Sequence, residues 1–172
     1  MKIKIAPIIV SILFLVFFVI FFLGLKNTNI YVPSVKYEKE VPFFTTQLFN
    51  TNKKINSDEI FKKDKYYLMN IWSSWCIPCR DEHRFLMELN NEKNLEIIGL
   101  NYKDKITNAQ NFLVELKNPY TTIISDFDGL IAIEWGAYGV PESFLISNKK
   151  IIKKIVGPLN ENLVIEIKEL LK

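Results

Sequence analysis

The chain's only two cysteines, Cys76 and Cys79, stand in the run Trp75-Cys76-Ile77-Pro78-Cys79-Arg80, and what flanks them constrains the fold more than any other feature. The run before them, Tyr66 to Trp72 (YYLMNIW), is β-rich and almost wholly apolar, and the run after them has helical periodicity. A Cys-x-x-Cys pair at a strand-to-helix junction is the pattern of a redox-active dithiol. Three other uses of the pair fit less well. A structural zinc site takes four ligands, and beyond the cysteines the chain offers one histidine, His83. Covalent haem attachment needs a histidine directly after the second cysteine, where Arg80 stands. A purely structural bridge closing so short a loop removes little entropy from the unfolded chain. No metal and no other cofactor is expected.

At 172 residues the chain holds one globular domain and a surplus at its N-terminus. Ile5 to Leu25 runs without a charge (IAPIIVSILFLVFFVIFFLGL). As a helix it spans roughly 31 Å, the thickness of a bilayer's hydrocarbon core. A cleaved signal peptide has a shorter apolar region and an Ala-x-Ala-like site after it, and neither is found here. The run reads as an uncleaved membrane anchor. Lys2 and Lys4 flank one end and Lys26 the other, so the positive-inside bias sets the N-terminus in the cytoplasm and the bulk of the chain in the periplasm. Disulfides form readily there, so a dithiol that works reduced needs an electron supply. The net charge of +3 falls to +1 without Lys2 and Lys4, a balance that suits neither nucleic acid nor an electrostatic membrane patch. The expected division is a cytoplasmic end (1–4), an anchor (5–25), a periplasmic tether (26–42) punctuated by Pro33 and Pro42, and a folded domain (43–172).

Within that domain, Phe43 to Phe49 reads as an edge strand, and Ser57 as the N-cap of a short helix ending at Phe61. Tyr66 to Trp72 has the continuous apolar character of a buried central strand. A helix over 77–91, a strand over 95–102 and a helix over 107–117 follow, so the two strands form a βαβ unit and run parallel. Next come a short strand (121–125), a turn at Asp126-Phe127-Asp128-Gly129 and a brief helix (130–135). Strands over 142–147 and 151–156 join as a hairpin at Asn148-Lys149. The closing helix, 160–172, carries Leu163, Ile167 and Leu170 on one stripe. A βαβ half followed by a ββα half is the order of the thioredoxin fold: an α/β domain with a central mixed sheet flanked by helices, here preceded by one transmembrane helix.

The chemistry follows from that placement. Cys76 falls at the start of the helix, where unpaired N–H groups and the helix dipole stabilise a thiolate, making it the nucleophile. Pro78 is compatible with the first turn. Cys79, a turn further in, is placed to resolve the mixed disulfide. Trp75 either shields the pair or packs in the core. Glu82 shares a helical face with Cys79 and heads the stripe of Phe85, Leu86 and Leu89. Partial desolvation there raises a carboxyl pKa toward the range useful for proton transfer, so Glu82 can deprotonate Cys79. The alternative is an acid that complements the helix dipole, as Asp81 does. His83 is expected on the surface. In Tyr138-Gly139-Val140-Pro141-Glu142, a proline just before a strand suggests the kind of turn in which cis X-Pro bonds occur. The Val140 backbone there can pair with an extended substrate.

The stretch Asn70-Ile71-Trp72-Ser73-Ser74-Trp75-Cys76-Ile77-Pro78-Cys79-Arg80-Asp81-Glu82-His83 closely resembles the active site of the membrane-anchored thiol:disulfide interchange proteins of cytochrome c maturation, the DsbE/CcmG type. The likeness continues through Asn101-Tyr102-Lys103-Asp104, Asn118-Pro119-Tyr120, Asp126-Phe127-Asp128-Gly129 and the run from Gly136 to Ile146, and covers essentially all of 66–172. It implies a protein disulfide reductase anchored by one span in the inner membrane, with its domain in the periplasm. The family keeps the haem-binding cysteines of apocytochrome c, or the dithiol of a maturation partner, reduced. Its electrons come from a membrane donor of the DsbD/CcdA type. By position, the resemblance makes Cys76 the attacking thiol, Cys79 the resolving thiol and Glu82 the active-site acid. Pro141 becomes the cis-proline, with Glu142 beside it. The residues expected to bind substrate are Trp75, Tyr138, Val140, Pro141 and Glu142. Where thioredoxin itself carries a buried aspartate this chain has Asn70, which cannot titrate, so proton transfer falls to Glu82. A broad-substrate reductase, an oxidase, and a binding protein that holds apocytochrome by its groove with turnover secondary are the other readings.

Overall fold

The computed structural model describes residues 5–26, 39–62 and 64–172. The chain divides into two compact units, Met1–Ser34 and Val35–Lys172. The first contains helix α1 (Ile5–Lys26). Its stretch Pro7–Gly24 has a mean hydropathy of 3.0 and its side chains lie exposed, so it is long and apolar enough to cross a membrane. The expected ends, 1–4 and most of the 26–42 tether, lie outside the described residues.

The second unit is built on one eight-stranded sheet. Its strands are β1 (Lys39–Glu40), β2 (Thr45–Leu48), β3 (Lys54–Asn56), β4 (Tyr66–Trp72), β5 (Leu95–Tyr102), β6 (Thr122–Asp126), β7 (Glu142–Ser147) and β8 (Lys150–Val156), in the order β1-β8-β7-β4-β5-β6-β2-β3. Strand β4 pairs parallel with β5 and antiparallel with β7, and β5 pairs parallel with β6. Helix α3 (Ile77–Leu89) supplies the crossover that parallel β4 and β5 require, and α4 (Ile106–Leu116) the one between β5 and β6. Side chains of β4 alternate between two apolar layers, Leu68 and Trp72 in one, Tyr67, Met69 and Ile71 in the other, so the strand is covered on both faces. By the same alternation Asn70 points into the layer of Leu68 and Trp72, the layer that also holds Cys76 and Cys79. Gly99 of β5 is required there, since a Cβ would meet Trp72 Nε1 and the Tyr120 ring at 2.9 Å.

The remaining helices are α2 (Ser57–Ile60), α5 (Leu130–Glu134) and α6 (Glu161–Leu170). Several details depart from the sequence reading. β2 is not an edge: β3 covers it, and three residues reading Lys-Ile-Asn are too short and polar to stand out as a strand. The N-cap of α2 is Asn56, not Ser57, because Glu59 closes a capping box with it. β1 pairs with β8 ahead of residue 43, so the folded unit starts earlier than expected. In α6 the buried residues are Val164 and Ile167, with Leu171 buried at its C-cap, while Leu170 is exposed and Leu163 half-buried. The hairpin at Asn148-Lys149 turns with both residues at positive φ (51° and 63°), the conformation a two-residue connection between twisted strands needs.

Candidate active site

Cys76 is the N-cap of α3, in extended conformation (φ −87°, ψ 108°), with Pro78 in the first turn. The backbone N–H of Cys79 donates to Cys76 Sγ at 3.1 Å. The two sulfurs are joined as a disulfide, and both residues are buried, at 4% and 2% exposure. The pair thus differs little in exposure. What separates the two thiols is the helix: Cys76 receives the N-terminal N–H donor and Cys79 does not.

The loop before the dithiol is fastened by a residue the sequence reading did not single out. Asp104 accepts from Ser74 N at 2.6 Å and Ser74 Oγ at 2.7 Å, and from Asn101 Nδ2 and Lys105 N at 3.1 and 2.8 Å. Trp75 Nε1 donates to the Lys103 carbonyl at 3.1 Å. The indole leans on Tyr102 and stays 56% exposed, so Trp75 is a surface aromatic beside the pair and not a core residue.

Beneath the dithiol lies a buried polar chain. Tyr120 Oη donates to Asn70 Oδ1 at 2.9 Å, and Asn70 Nδ2 donates to Glu82 Oε1 at 2.8 Å and to Ser143 Oγ at 3.0 Å. The other carboxylate oxygen of Glu82 accepts the Leu159 N–H at 2.7 Å. Glu82 is 1% exposed. Burial raises its pKa from 4.5 to about 7, even though the Leu159 and Asn70 donors pull the other way. Burial also pushes the Tyr120 hydroxyl well above the usual phenol range, with the Glu82 charge adding to it. Cys79 and Glu82 lie on the buried face of α3, one turn apart. Of this chain the sequence pointed to Glu82 and to Asn70 as a non-titrating position. Tyr120, Ser143 and the Leu159 amide are contributed by distant segments.

His83 is buried (3%), which corrects its expected surface position. Its Nε2 lies 2.9 Å from the Lys117 carbonyl and so carries the proton, and its ring meets Phe112 edge-on. Burial lowers its pKa, with the Arg80 charge acting the same way. The apolar face of α3 is wide enough to take in 83 as well as 79, 82 and 86 because α4 packs over it.

On the loop ahead of β7, the Val140–Pro141 peptide bond is cis. Pro141 is buried, Val140 half-buried and Tyr138 exposed. Glu142, expected to face substrate, is turned inward instead. Its Oε1 accepts the N–H groups of Tyr138 and Gly139 at 2.5 and 3.0 Å. Its Oε2 forms an ion pair with Lys154 Nζ at 3.0 Å, with the two side chains 2% and 5% exposed.

The Redoxin family pattern matches residues 36–171. The thiol:disulfide interchange protein CycY of Rhizobium leguminosarum bv. viciae is 50% identical over 97 residues, covering 56% of this chain and 52% of that protein. This chain therefore spans about half the length of that relative. The thiol:disulfide interchange protein DsbE of Allochromatium vinosum is 35% identical over 150 residues, 86% of this chain and 82% of its own. Among solved structures, a putative DsbE from Chlorobium tepidum superposes with a TM-score of 0.68 over 81% of this chain and 100% of its own, at 24% identity, a likeness of fold. By these matches the chain belongs to the Redoxin family, among the thiol:disulfide interchange proteins of the DsbE type.

Proposed function

We propose that the chain is a membrane-anchored protein disulfide reductase of cytochrome c maturation. Its substrates are the haem-binding cysteines of apocytochrome c or the dithiol of a maturation partner. The observation that carries this reading is Cys76 at the N-terminus of α3 with the Cys79 N–H on its sulfur, one helical turn from the buried acid Glu82. In the reduced protein the Cys76 thiolate attacks a substrate disulfide, forming a mixed disulfide and expelling one substrate thiolate. Cys79 then gives its proton to the Glu82 carboxylate and attacks Cys76 Sγ, which releases the second substrate thiolate. Two electrons pass to the substrate, its thiolates take up two protons, and the Cys76–Cys79 disulfide remains. The docking surface of this reading is Trp75, directly before Cys76, together with Tyr138, Val140 and Pro141 of the loop that enters β7 at the end of the sheet where β4 leads into the dithiol, while Glu142 acts from behind that loop.

The apolar helix, read as an uncleaved anchor over 5–25 with 1–4 in the cytoplasm, tethers the domain in the periplasm. A membrane donor of the DsbD/CcdA type returns the two electrons. The test is a Cys79→Ser variant mixed with a Cys-x-x-Cys-His peptide disulfide, together with the midpoint potential of the wild-type couple. A trapped adduct through Cys76 and a potential of roughly −200 to −270 mV support the reading, whereas a value of about −120 mV assigns oxidation instead.

A further inference from the structure

The Glu142–Lys154 ion pair sits where a stability argument does not explain it. Lys154 lies on β8 opposite Phe144, and its ammonium is 5.6 Å from that ring, so the charge emerges from an apolar face of the sheet. Apolar side chains of similar volume commonly serve a core as well as or better than a buried ion pair. What the pair holds is the loop. Glu142 Oε1 takes the N–H groups of Tyr138 and Gly139, and Lys154 Nζ donates to the Gly136 carbonyl at 2.7 Å. The same Nζ lies 3.9 Å from the centroid of the Tyr138 ring, which is 85% exposed. One face of the ring is thus fixed on the cation and the rest is presented to solvent.

We propose that Lys154 is a positioning residue for polypeptide docking. It neutralises the buried Glu142 carboxylate so that the carboxylate keeps its grip on 138–139, and it seats Tyr138 as a stacking platform on the loop that enters β7 at the end of the sheet where β4 leads into the dithiol. Lys154 touches neither substrate nor sulfur. It acts by pre-ordering the loop, so its loss is felt in binding an extended chain more than in the exchange step. This rests on the reading of the site as a disulfide reductase.

The test uses the reduced full chain in non-ionic detergent, oxidised by excess of a short extended peptide carrying a Cys-x-x-Cys disulfide and followed by stopped-flow tryptophan fluorescence. Lys154→Met is expected to raise the half-saturating peptide concentration roughly three- to tenfold, with a limiting rate within about twofold of wild type. Lys154→Arg, which keeps the charge, restores it. Amide exchange at Tyr138 and Gly139 accelerates in Lys154→Met alone. If the unpaired Glu142 prevents that variant from folding, the double variant Glu142→Gln/Lys154→Met removes both charges and should show the same raised half-saturation. An unshifted half-saturation in a folded variant, or failure of both to fold, overturns the role of Lys154 and leaves the reductase reading standing. A wild-type protein that does not react with the peptide sinks the reductase reading, and this inference with it.

Discussion

Replacing Glu82 by glutamine tests the central electrostatic claim, because the carboxyl's environment dictates how stability varies with pH. In the unfolded chain the group ionises at 4.5, in the folded protein at about 7. Below 4.5 both states hold the proton and the fold loses nothing. Between the two values the folded state keeps a proton that the unfolded state has released, so each unit of rising pH costs the fold about 1.4 kcal/mol. Above about 7 both states are ionised and the loss is complete, at about 3 kcal/mol. The Glu82→Gln protein carries no such dependence. It bears a constant penalty instead: the amide's single oxygen accepts one of the two donors, Asn70 Nδ2 or the Leu159 N–H, and its NH₂ faces the other, for about 1–3 kcal/mol. A protonated carboxyl avoids this, since its hydroxyl oxygen still accepts. The assay is thermal unfolding of the oxidised full chain in non-ionic detergent, wild type against variant, from pH 4 to 9. Wild type should be the more stable at pH 4 to 5. Its melting temperature should then fall by roughly 6–12 °C more than the variant's as pH reaches 8, the equivalent of about 3 kcal/mol for a chain of this size. Parallel curves would mean that Glu82 ionises at an ordinary pKa, and its assignment as the proton acceptor for Cys79 would go with that result.

Three further outcomes follow. In the reduced protein, iodoacetamide should alkylate Cys76 before Cys79, because the helix N-terminus and the Cys79 N–H favour the Cys76 thiolate; peptide mapping by mass spectrometry at pH 6 to 8 reads the order. Tyr120→Phe removes the only hydrogen bond given to Asn70 Oδ1 among the described residues and should lower stability by about 1–3 kcal/mol in the same unfolding assay, with the disulfide still formed. A chain beginning at Val35 should be soluble and folded, with two thiols titratable on reduction, since the compact unit Val35–Lys172 contains the dithiol; aggregation would show that the N-terminal segment supports the core.

The elements were legible wherever the information was local. Tyr66 to Trp72 declares a two-faced buried strand by composition alone, and Cys76 declares a helix start by the Pro78 that follows it, so both fall where the periodicity puts them. What could not be read is what distant segments bring. The burial of His83 depends on Phe112 of α4 packing against its ring and on the carbonyl of Lys117, the C-cap of α4, 34 residues on. The Asp104 clamp on Ser74 joins two loops that are neighbours only because β4 and β5 run parallel and end together. Lys154 sits in a β8 stretch reading Ile-Ile-Lys-Lys-Ile, and nothing local says that Lys153 pairs with Glu166 of α6 while its neighbour turns under a loop. Glu142 was found for its position beside Pro141 and misread in direction, because the acceptor role it fills is set by the backbone of 138–139.

Asn70 shows why the acid belongs on the helix and not on the strand. A carboxylate at 70 would stand where Asn70 Nδ2 now lies 2.8 Å from Glu82 Oε1, and two carboxylates that close share a proton and titrate as a pair. One would be driven far above neutrality and stay protonated, leaving the other strongly ionised, so neither would sit near 7. An amide in that place does the opposite. It donates to Glu82, which offsets part of the desolvation, and its oxygen is kept from the carboxylate by the Tyr120 hydroxyl. The amide orientation is therefore fixed, with N–H toward Glu82 and toward Ser143. Burial alone would carry the carboxyl higher than about 7, and the donors from Asn70 and Leu159 hold it there. A single acid balanced in this way exchanges its proton in the range where a thiol one helical turn away needs a base.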